Sequence, residues 1–483
     1  MQNLPSGKRL EPAGSPPGWL TFVTLILAIF LTGTWLWSCW CSFPSIPWND
    51  IRVAPAVALH RGISIYSPVD HGPVSTWIYG PLPLFLLWPA GLASSALGAI
   101  EIAGAIHIGF TVLGATLTCL LWPSETGKAP AMQSWHLRLA AALLCVLLVR
   151  SDVAGYMVYT ADASGVIFGL LSLLALSRGH PWTAAGCAAA AVACKMTLLG
   201  VGAAQVVWMF VRFSPRAAGY QLARCVAAGA MLAVPAVIFF GGPGLWHTMI
   251  ELPGRFPWAP VVSARLGQHA GHLVLYVGVP LAFMISFRRF FFSRESPLLL
   301  GSLAFLFLLP LGIAALLKIG GNVNSLDSFS LWFPPTLVVL VTGGAFAKLG
   351  RAGSLALAVS AAALASLWLQ LTPLRMRPNT QAYHEAMHLA ARLPQKIWFP
   401  LHPLVTLYSD GRFYHDFDGL SERVQAGQRL TDEHYFAYMP PHRQVIATLL
   451  PVGWGPADTA EARIPKDTPV NTFGNWRLDG SPE

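Results

Sequence analysis

The sequence predicts a mainly α, polytopic transmembrane helical bundle of about eleven spans, carrying a small outward α/β domain at its C-terminal end. Three observations predict it. Hydrophobic residues make up 54% of the 483 and charged residues only 11%, and the mean hydropathy is +0.54, far from an ordinary soluble composition. Apolar runs of spanning length recur from residue 18 to residue 371. Beyond residue 372 the chain becomes ordinary in charge, with 11 Lys/Arg against 12 Asp/Glu.

The first element follows "MQNLPSGKRLEPAGSPPG", whose basic pair precedes an apolar run at 18–40 with no small-residue cleavage pattern, so this run reads as a retained span. Further spans are expected near 98–122, 136–152, 162–177, 182–194, 196–212, 220–240, 269–287, 297–317, 328–347 and 353–371. The thirty residues 182–211 are split at Lys195 into two short helices, a single tilted helix being the rival. "YGPLPLFLLWPAGLA" (79–93) is short and rich in proline, and reads either as a twelfth span or as a helix lying in the interface.

Basic residues arbitrate, because one more span there inverts every later loop. With eleven spans the cytoplasmic side receives thirteen, Lys8, Arg9, Lys128, Arg138, Arg178, Arg212, Arg216, Arg224, Arg288, Arg289, Arg294, Lys348 and Arg351. The outer loops hold seven, Arg52, Arg61, Arg150, Lys195, Arg255, Arg265 and Lys318. Eleven spans satisfy the positive-inside tendency, with the N-terminus cytoplasmic and the C-terminal domain outside the plasma (inner) membrane. All of the +9 net charge lies before residue 372, so it is a topology signal and no nucleic-acid partner is inferred. Two domains follow: 1–371 within the bilayer, with a long first outer loop at 41–97, and 372–483 outside it. In the latter, "LYSDGRFYHDFDGLSERV" and "MPPHRQVIATLL" alternate helical and strand-like patterns.

On this topology the outer face collects Asp50, Asp70, Asp152, Asp162, Glu251 and Asp327. Asp50 lies just behind the first span, as the N-cap of a helix beginning at Ile51 or as a working carboxylate; asparagine caps as well as aspartate, so Asp50→Asn separates the two roles. Asp162, at the outer start of a span, is a dipole partner or a site acid, and Asp152 reads as surface. Lys195 is flanked by apolar residues in "AAAAVACKMTLLG". It either snorkels to the interface or faces a cavity and a partner. In "LKIGGNVNSLDSF" (317–329), Lys318 ends a span, the glycines permit close backbone approach, and Asn322 and Asn324 offer hydrogen bonds, although Gly-Gly-Asn is also an ordinary turn. His247 and Glu251, four apart, share a helix face without making a metal site. No P-loop or Rossmann glycine pattern is present.

An acid after the first span, a helix leading to "HRGISIY" and then "YGPLPLFLLWPAG" together resemble the first outer loop of the GT-C superfamily of membrane glycosyltransferases, and "YTADAS" is similar to their second-loop stretch. The resemblance implies transfer of a sugar from a polyprenyl-phosphate carrier to a glycan, lipid or protein acceptor at the outer face, with inversion. Asp50 would be the base and Asp162 would face it. Lys195, Lys318, Asn322, Asn324, Arg265 and Tyr79 would bind substrate, the two lysines steadying the leaving phosphate. "ND" stands where many members carry an acidic pair; a divalent metal, Mg or Mn, stays open as cofactor with no ligand assigned. A lipid transporter or flippase, or a non-catalytic membrane subunit of the same fold, is the alternative; polar residues gathered at loops rather than mid-span favour surface chemistry over transport.

Overall fold

The computed structural model describes residues 18–42, 44, 46–123, 132–148, 161–342, 380–449 and 469–480. The expected span at 353–371, the acid Asp152 and the basic residues Lys8, Arg9, Lys128, Arg150, Lys348 and Arg351 lie outside them. The side chain of Asp162 lies outside them as well.

Helix α1 (Gly18–Ser42) leads into α2 (Pro47–His60), α3 (Leu82–Leu87) and α4 (Ala96–Leu121). Then come α5 (Met132–Leu148), α6 (Ala161–Ser177), α7 (Pro181–Cys194), α8 (Gly200–Arg212) and α9 (Pro215–Phe240). Among the described residues α4, α9 and the helix Leu299–Leu316 are each long and apolar enough to cross a membrane alone, and Val262–Gln268 with Ala270–Ser286 forms a fourth candidate bent by 74°. Helix α9 exposes Met231, Ile238 and Phe239 at 65–79%, an apolar surface that only lipid or another protein can cover. The chain is a multi-pass membrane protein.

Helix α3 and the tight turn Trp88–Leu92 together span eleven residues, about 17 Å, too short for a hydrocarbon core of about 30 Å. They pack on α2, where the rings of His60 and Trp88 lie 4.5 Å apart, and leave Phe85, Trp88 and Leu92 exposed. By length this segment does not cross a membrane as a single straight helix.

The chain does break at Lys195, which is extended at φ −147°. Helices α7 and α8 form a hairpin: the carbonyl of Ala184 accepts from Gln205 Nε2 at 3.1 Å, whereas these residues would stand about 31 Å apart on one straight helix. Ser172 Oγ donates to the same carbonyl at 2.9 Å, and Gln221 Nε2 donates to Gln205 Oε1 at 2.6 Å. These bonds sit at the base of the hairpin, and Lys195 is at its tip.

The hairpin orders the two ends of the bundle. At its base Arg138 donates to the carbonyl of Trp122 at 2.7 Å, Arg178 to that of Leu121 at 2.7 Å, and Arg212 to that of Arg294 at 3.0 Å. Around its tip lie Arg52, Arg61, Arg265 and Lys318 with the C-terminal region. These seven residues fall into the same two groups as in the basic-residue count.

The C-terminal region carries a four-stranded sheet in the order β1-β2-β4-β3. β1 (Ile397–Trp398) pairs parallel with β2 (Val445–Leu449), and β4 (Trp476–Gly480) pairs antiparallel with β2 and with β3 (Val470–Phe473). The hydrophobic core runs without interruption from α2 into this region. Ile51 packs with Leu401 and Phe417, and Val74 of the first loop packs among Trp398, Tyr414, Leu420 and Tyr435.

Candidate active site

Helix α2 sets the frame. Pro47 opens it, Ile46 is its N-cap, and Asp50 sits in the first turn; the sequence had suggested a helix starting at Ile51 with Asp50 capping it. Ile51, Val53, Ala54 and Ala56–Ala58 are essentially fully buried, so α2 is packed all round and its polar side chains reach across packed seams.

Asp50 is completely buried. Its Oδ1 accepts from the backbone N–H of Leu404 at 2.7 Å and its Oδ2 from the Tyr383 hydroxyl at 2.8 Å, with His402 Nδ1 3.5 Å away. Burial, and then the Asp50 charge, push the Tyr383 phenol well above its ordinary range, so it stays protonated and donates. Asp50 thereby fastens α2 to the C-terminal region. No three Asp, Glu, His or Cys side chains converge to hold a metal among the described residues.

Arg52 donates to the carbonyl of Thr76 at 3.0 Å and lies over the Tyr79 ring, 4.9 Å from its centroid. The first loop then turns tightly against the hairpin tip: Gly80 N–H donates to the carbonyl of Cys194 at 3.2 Å. A Cβ at position 80 would lie 1.9 Å from the Ala193 oxygen, so only glycine fits. Tyr79 and Lys195 thus belong to adjoining surfaces.

Lys195 does not snorkel. It is 8% exposed, and its Nζ lies 2.8 Å from Asp327 Oδ2 and 3.0 Å from the Asn324 carbonyl, to which it donates. A buried cation is tolerated because the acid beside it offsets its charge. In the sequence Asp327 stood out only as an outer acid, with no partner.

Lys318 and Arg265 differ in kind. The Lys318 ammonium donates to the carbonyls of Pro253 at 2.7 Å and Gly254 at 3.1 Å and lies 5.8 Å from the Trp258 ring centroid. Arg265 donates to the carbonyls of Leu316, at 3.3 Å, and Gly321, and to Gln268. Every one of these acceptors is neutral, so among the described residues the two positive charges are held in place without an acidic partner. Two main-chain bonds, Ala259 N–H to Leu317 O and Ile319 N–H to Pro257 O, both 2.9 Å, lock their loops together. Asn322 turns inward to accept from Val323 N–H at 2.8 Å, the ordinary-turn role, and Asn324 contributes its carbonyl to Lys195. His247 and Glu251 do share a face, 3.2 Å apart, with Arg255 on the other Glu251 oxygen at 2.6 Å.

A second group went unassigned in the sequence. Residues 69–77 of the first loop form a strap across the C-terminal region. Thr76 N–H donates to Asp416 Oδ2 at 3.0 Å and Thr76 Oγ1 to Glu422 Oε1 at 2.8 Å. Val74 N–H donates to His415 Nδ1 at 2.8 Å, and His434 Nε2 lies 2.7 Å from the Gly72 carbonyl. Burial lifts Asp416 to about 7, Asp418 to about 6 and Glu422 to about 8, with Arg52 opposing the last two. Burial also lowers His415 to about 3, so this imidazole is neutral. The visible signal was "DFDGLSERV", in which Asp418 and Glu422 are four apart on one helix face.

Over nearly its whole length the chain is similar in fold to ArnT from Cupriavidus metallidurans. The structure in the apo state aligns over 97% of this chain and 99% of that one, with a TM-score of 0.57 and 11% identity. The chain has the GT-C fold. ArnT bound to undecaprenyl phosphate aligns over 96% of this chain and 98% of that one, at TM-score 0.54 and 12% identity. The Archaeoglobus fulgidus oligosaccharyltransferase in the apo form covers 89% of this chain and 70% of its own, at TM-score 0.49 and 12% identity. No family model and no curated protein matches the chain in sequence. The GT-C fold is therefore carried here by a sequence that shares little residue identity with these solved structures.

Proposed function

We propose that the protein is a glycosyltransferase that takes a sugar from a polyprenyl-phosphate carrier and places it on a glycan, lipid or protein acceptor, at the end of the bundle that carries the C-terminal region. The observation that carries this reading is the pair Lys318 and Arg265. They are two partly accessible cations on interlocked loops, hydrogen-bonded among the described residues to neutral oxygens, in a fold shared with a protein solved with undecaprenyl phosphate bound. The glycosyl–phosphate bond breaks as the acceptor oxygen attacks the anomeric carbon, and the phosphate leaves with one more negative charge. Fixed, uncancelled cations stabilise that charge more than they stabilise the starting diester, which is what lowers the barrier.

The other candidate residues take their places around this seat. Lys195 with Asp327 is a near-neutral pair that fixes the hairpin tip under Tyr79, so its part is to position the carrier pocket. Asp50, held by Tyr383 and Leu404, positions α2 and with it Arg52. A base role for Asp50 requires the acceptor hydroxyl to replace that of Tyr383; Asp162 is the remaining candidate for the base. The thirteen-to-seven division of basic residues supports the inner membrane orientation with this end outward.

Purified protein in detergent, titrated with a short-chain polyprenyl-phosphate, tests the seat. Lys318→Met with Arg265→Gln lowers affinity by about tenfold to a hundredfold for each charge-assisted hydrogen bond removed, while thermal stability falls little because both side chains are partly exposed. Unchanged affinity removes the seat. A parent that binds the lipid but never releases free carrier from any sugar-loaded form is a flippase instead.

A further inference from the structure

The arginine-rich end of the bundle, remote from the seat just described, holds a cavity of about 780 Å³. It opens between the base of the α7–α8 hairpin and the turn that precedes the helix Leu299–Leu316, with Pro123, Ser177 and Pro181 on one side and Arg289, Phe290 and Ser296 on the other. Helix α8 alone sets it about 20 Å from Lys195. Trp208 and Phe213, within α8 and just past its end, supply an apolar wall, and Phe213 is 55% exposed.

Two guanidinium groups line the cavity. Arg212 lies 5.5 Å from the Trp208 ring centroid, and NH1 donates to the carbonyl of Arg294 at 3.0 Å, a neutral partner that leaves its charge uncancelled. Arg289 is exposed and makes no hydrogen bond or ion pair among the described residues. Glu295 is the one acid in the lining and pairs with neither arginine. The cavity therefore has a net positive polar side and an aromatic side, at the level where the helices end.

We propose that this cavity binds an anionic membrane glycerolipid, its phosphate headgroup between Arg212 and Arg289 and its acyl chains along Trp208, Phe213 and Phe290. Charge complementarity chooses the occupant. Basic pockets between transmembrane helices at the leaflet rich in Lys and Arg attract anionic headgroups, and the aromatic wall gives the chains a place that a free anion does not need. The bound lipid would brace α8 against the turn before Leu299, from the side opposite Lys195. This assignment does not depend on glycosyl transfer.

The test uses the full-length protein in detergent micelles doped with phosphatidylglycerol or phosphatidylcholine, with retained lipid read by native mass spectrometry. The parent retains phosphatidylglycerol in preference to phosphatidylcholine, and millimolar inorganic phosphate does not displace it. Arg289→Gln, at a residue that holds nothing in the fold, lowers apparent affinity for phosphatidylglycerol about tenfold or more. Arg289→Lys recovers most of it, and Arg255→Gln, an equal charge change at the other end, leaves it as in the parent. Equal retention of the two lipids, or an equal loss with Arg255→Gln, overturns the site. Displacement by phosphate alone overturns the lipid in favour of a free anion.

Discussion

Replacing Asp50 by asparagine keeps the shape of the side chain, removes its charge and converts one oxygen into a donor. In the parent both oxygens accept, from Leu404 N–H at 2.7 Å and from the Tyr383 hydroxyl at 2.8 Å. The asparagine oxygen can keep the Leu404 bond, and Tyr383 can rotate its hydroxyl to accept from the new amide, so no partner need be orphaned. The charge assistance of two buried bonds disappears, each falling from about 1.5–3 to about 0.5–1.5 kcal/mol. The expected cost is about 2 kcal/mol, and Tyr383→Phe, which removes the donor to Oδ2, costs about 1–3 kcal/mol. Because the two changes act on one bond, the double variant is less destabilised than the sum. Hydrogen exchange reads this locally: amides of the helix Gln381–Arg392 should lose protection in both single variants. If Asp50→Asn keeps that protection and the parent's thermal stability while abolishing transfer, the carboxylate is a base and not an anchor.

Two further predictions rest on buried charge. Lys195→Met leaves the Asp327 carboxylate, 8% exposed on its side chain, without its ammonium, so stability should fall by about 3–5 kcal/mol; Lys195→Met with Asp327→Leu should recover most of this, and a single variant as stable as the parent in a detergent melt would show that the pair is well solvated. Folding raises Asp416 to about 7 and Glu422 to about 8, so between their unfolded values near 4 and these values the folded state holds more protons. The seam between the strap and the C-terminal region is therefore tightest at low pH, below the unfolded values, and weakens as pH rises through about 8. Limited proteolysis of the strap between pH 5 and 9 should follow that course, with Glu422→Gln flattening its upper part, and cleavage independent of pH refutes it.

What the sequence determined by itself is what local pattern and solvent enforce. A run of apolar residues must leave water wherever it ends up, so the bundle follows from 54% hydrophobic composition. A lysine inside such a run must reach a partner or a surface, which marked Lys195 as the place to split the run, while a single tilted helix stayed the rival until the structure showed the break. Basic residues sort to one end of a membrane bundle for reasons outside the fold, which is why counting them grouped Arg138, Arg178 and Arg212, whose hydrogen bonds lie together at one end. The first loop was likewise legible as an acid followed by a helix and a short proline-rich apolar segment.

Tertiary structure decided which partner each polar group found. The donors to Asp50 come from positions 333 and 354 residues further along the chain, and no local rule distinguishes a carboxylate aimed at a distant phenol from one aimed at a substrate. The same holds for Lys195, whose charge is met by Asp327 132 residues away, and for Lys318 and Arg265, which meet only neutral oxygens. Residue type supplied four groups that carry charge; only packing determined that Lys195 meets an opposite charge while Asp50, Lys318 and Arg265 meet neutral partners among the described residues, because such pairing depends on distances of about 3 Å between elements whose relative placement no single stretch of sequence encodes.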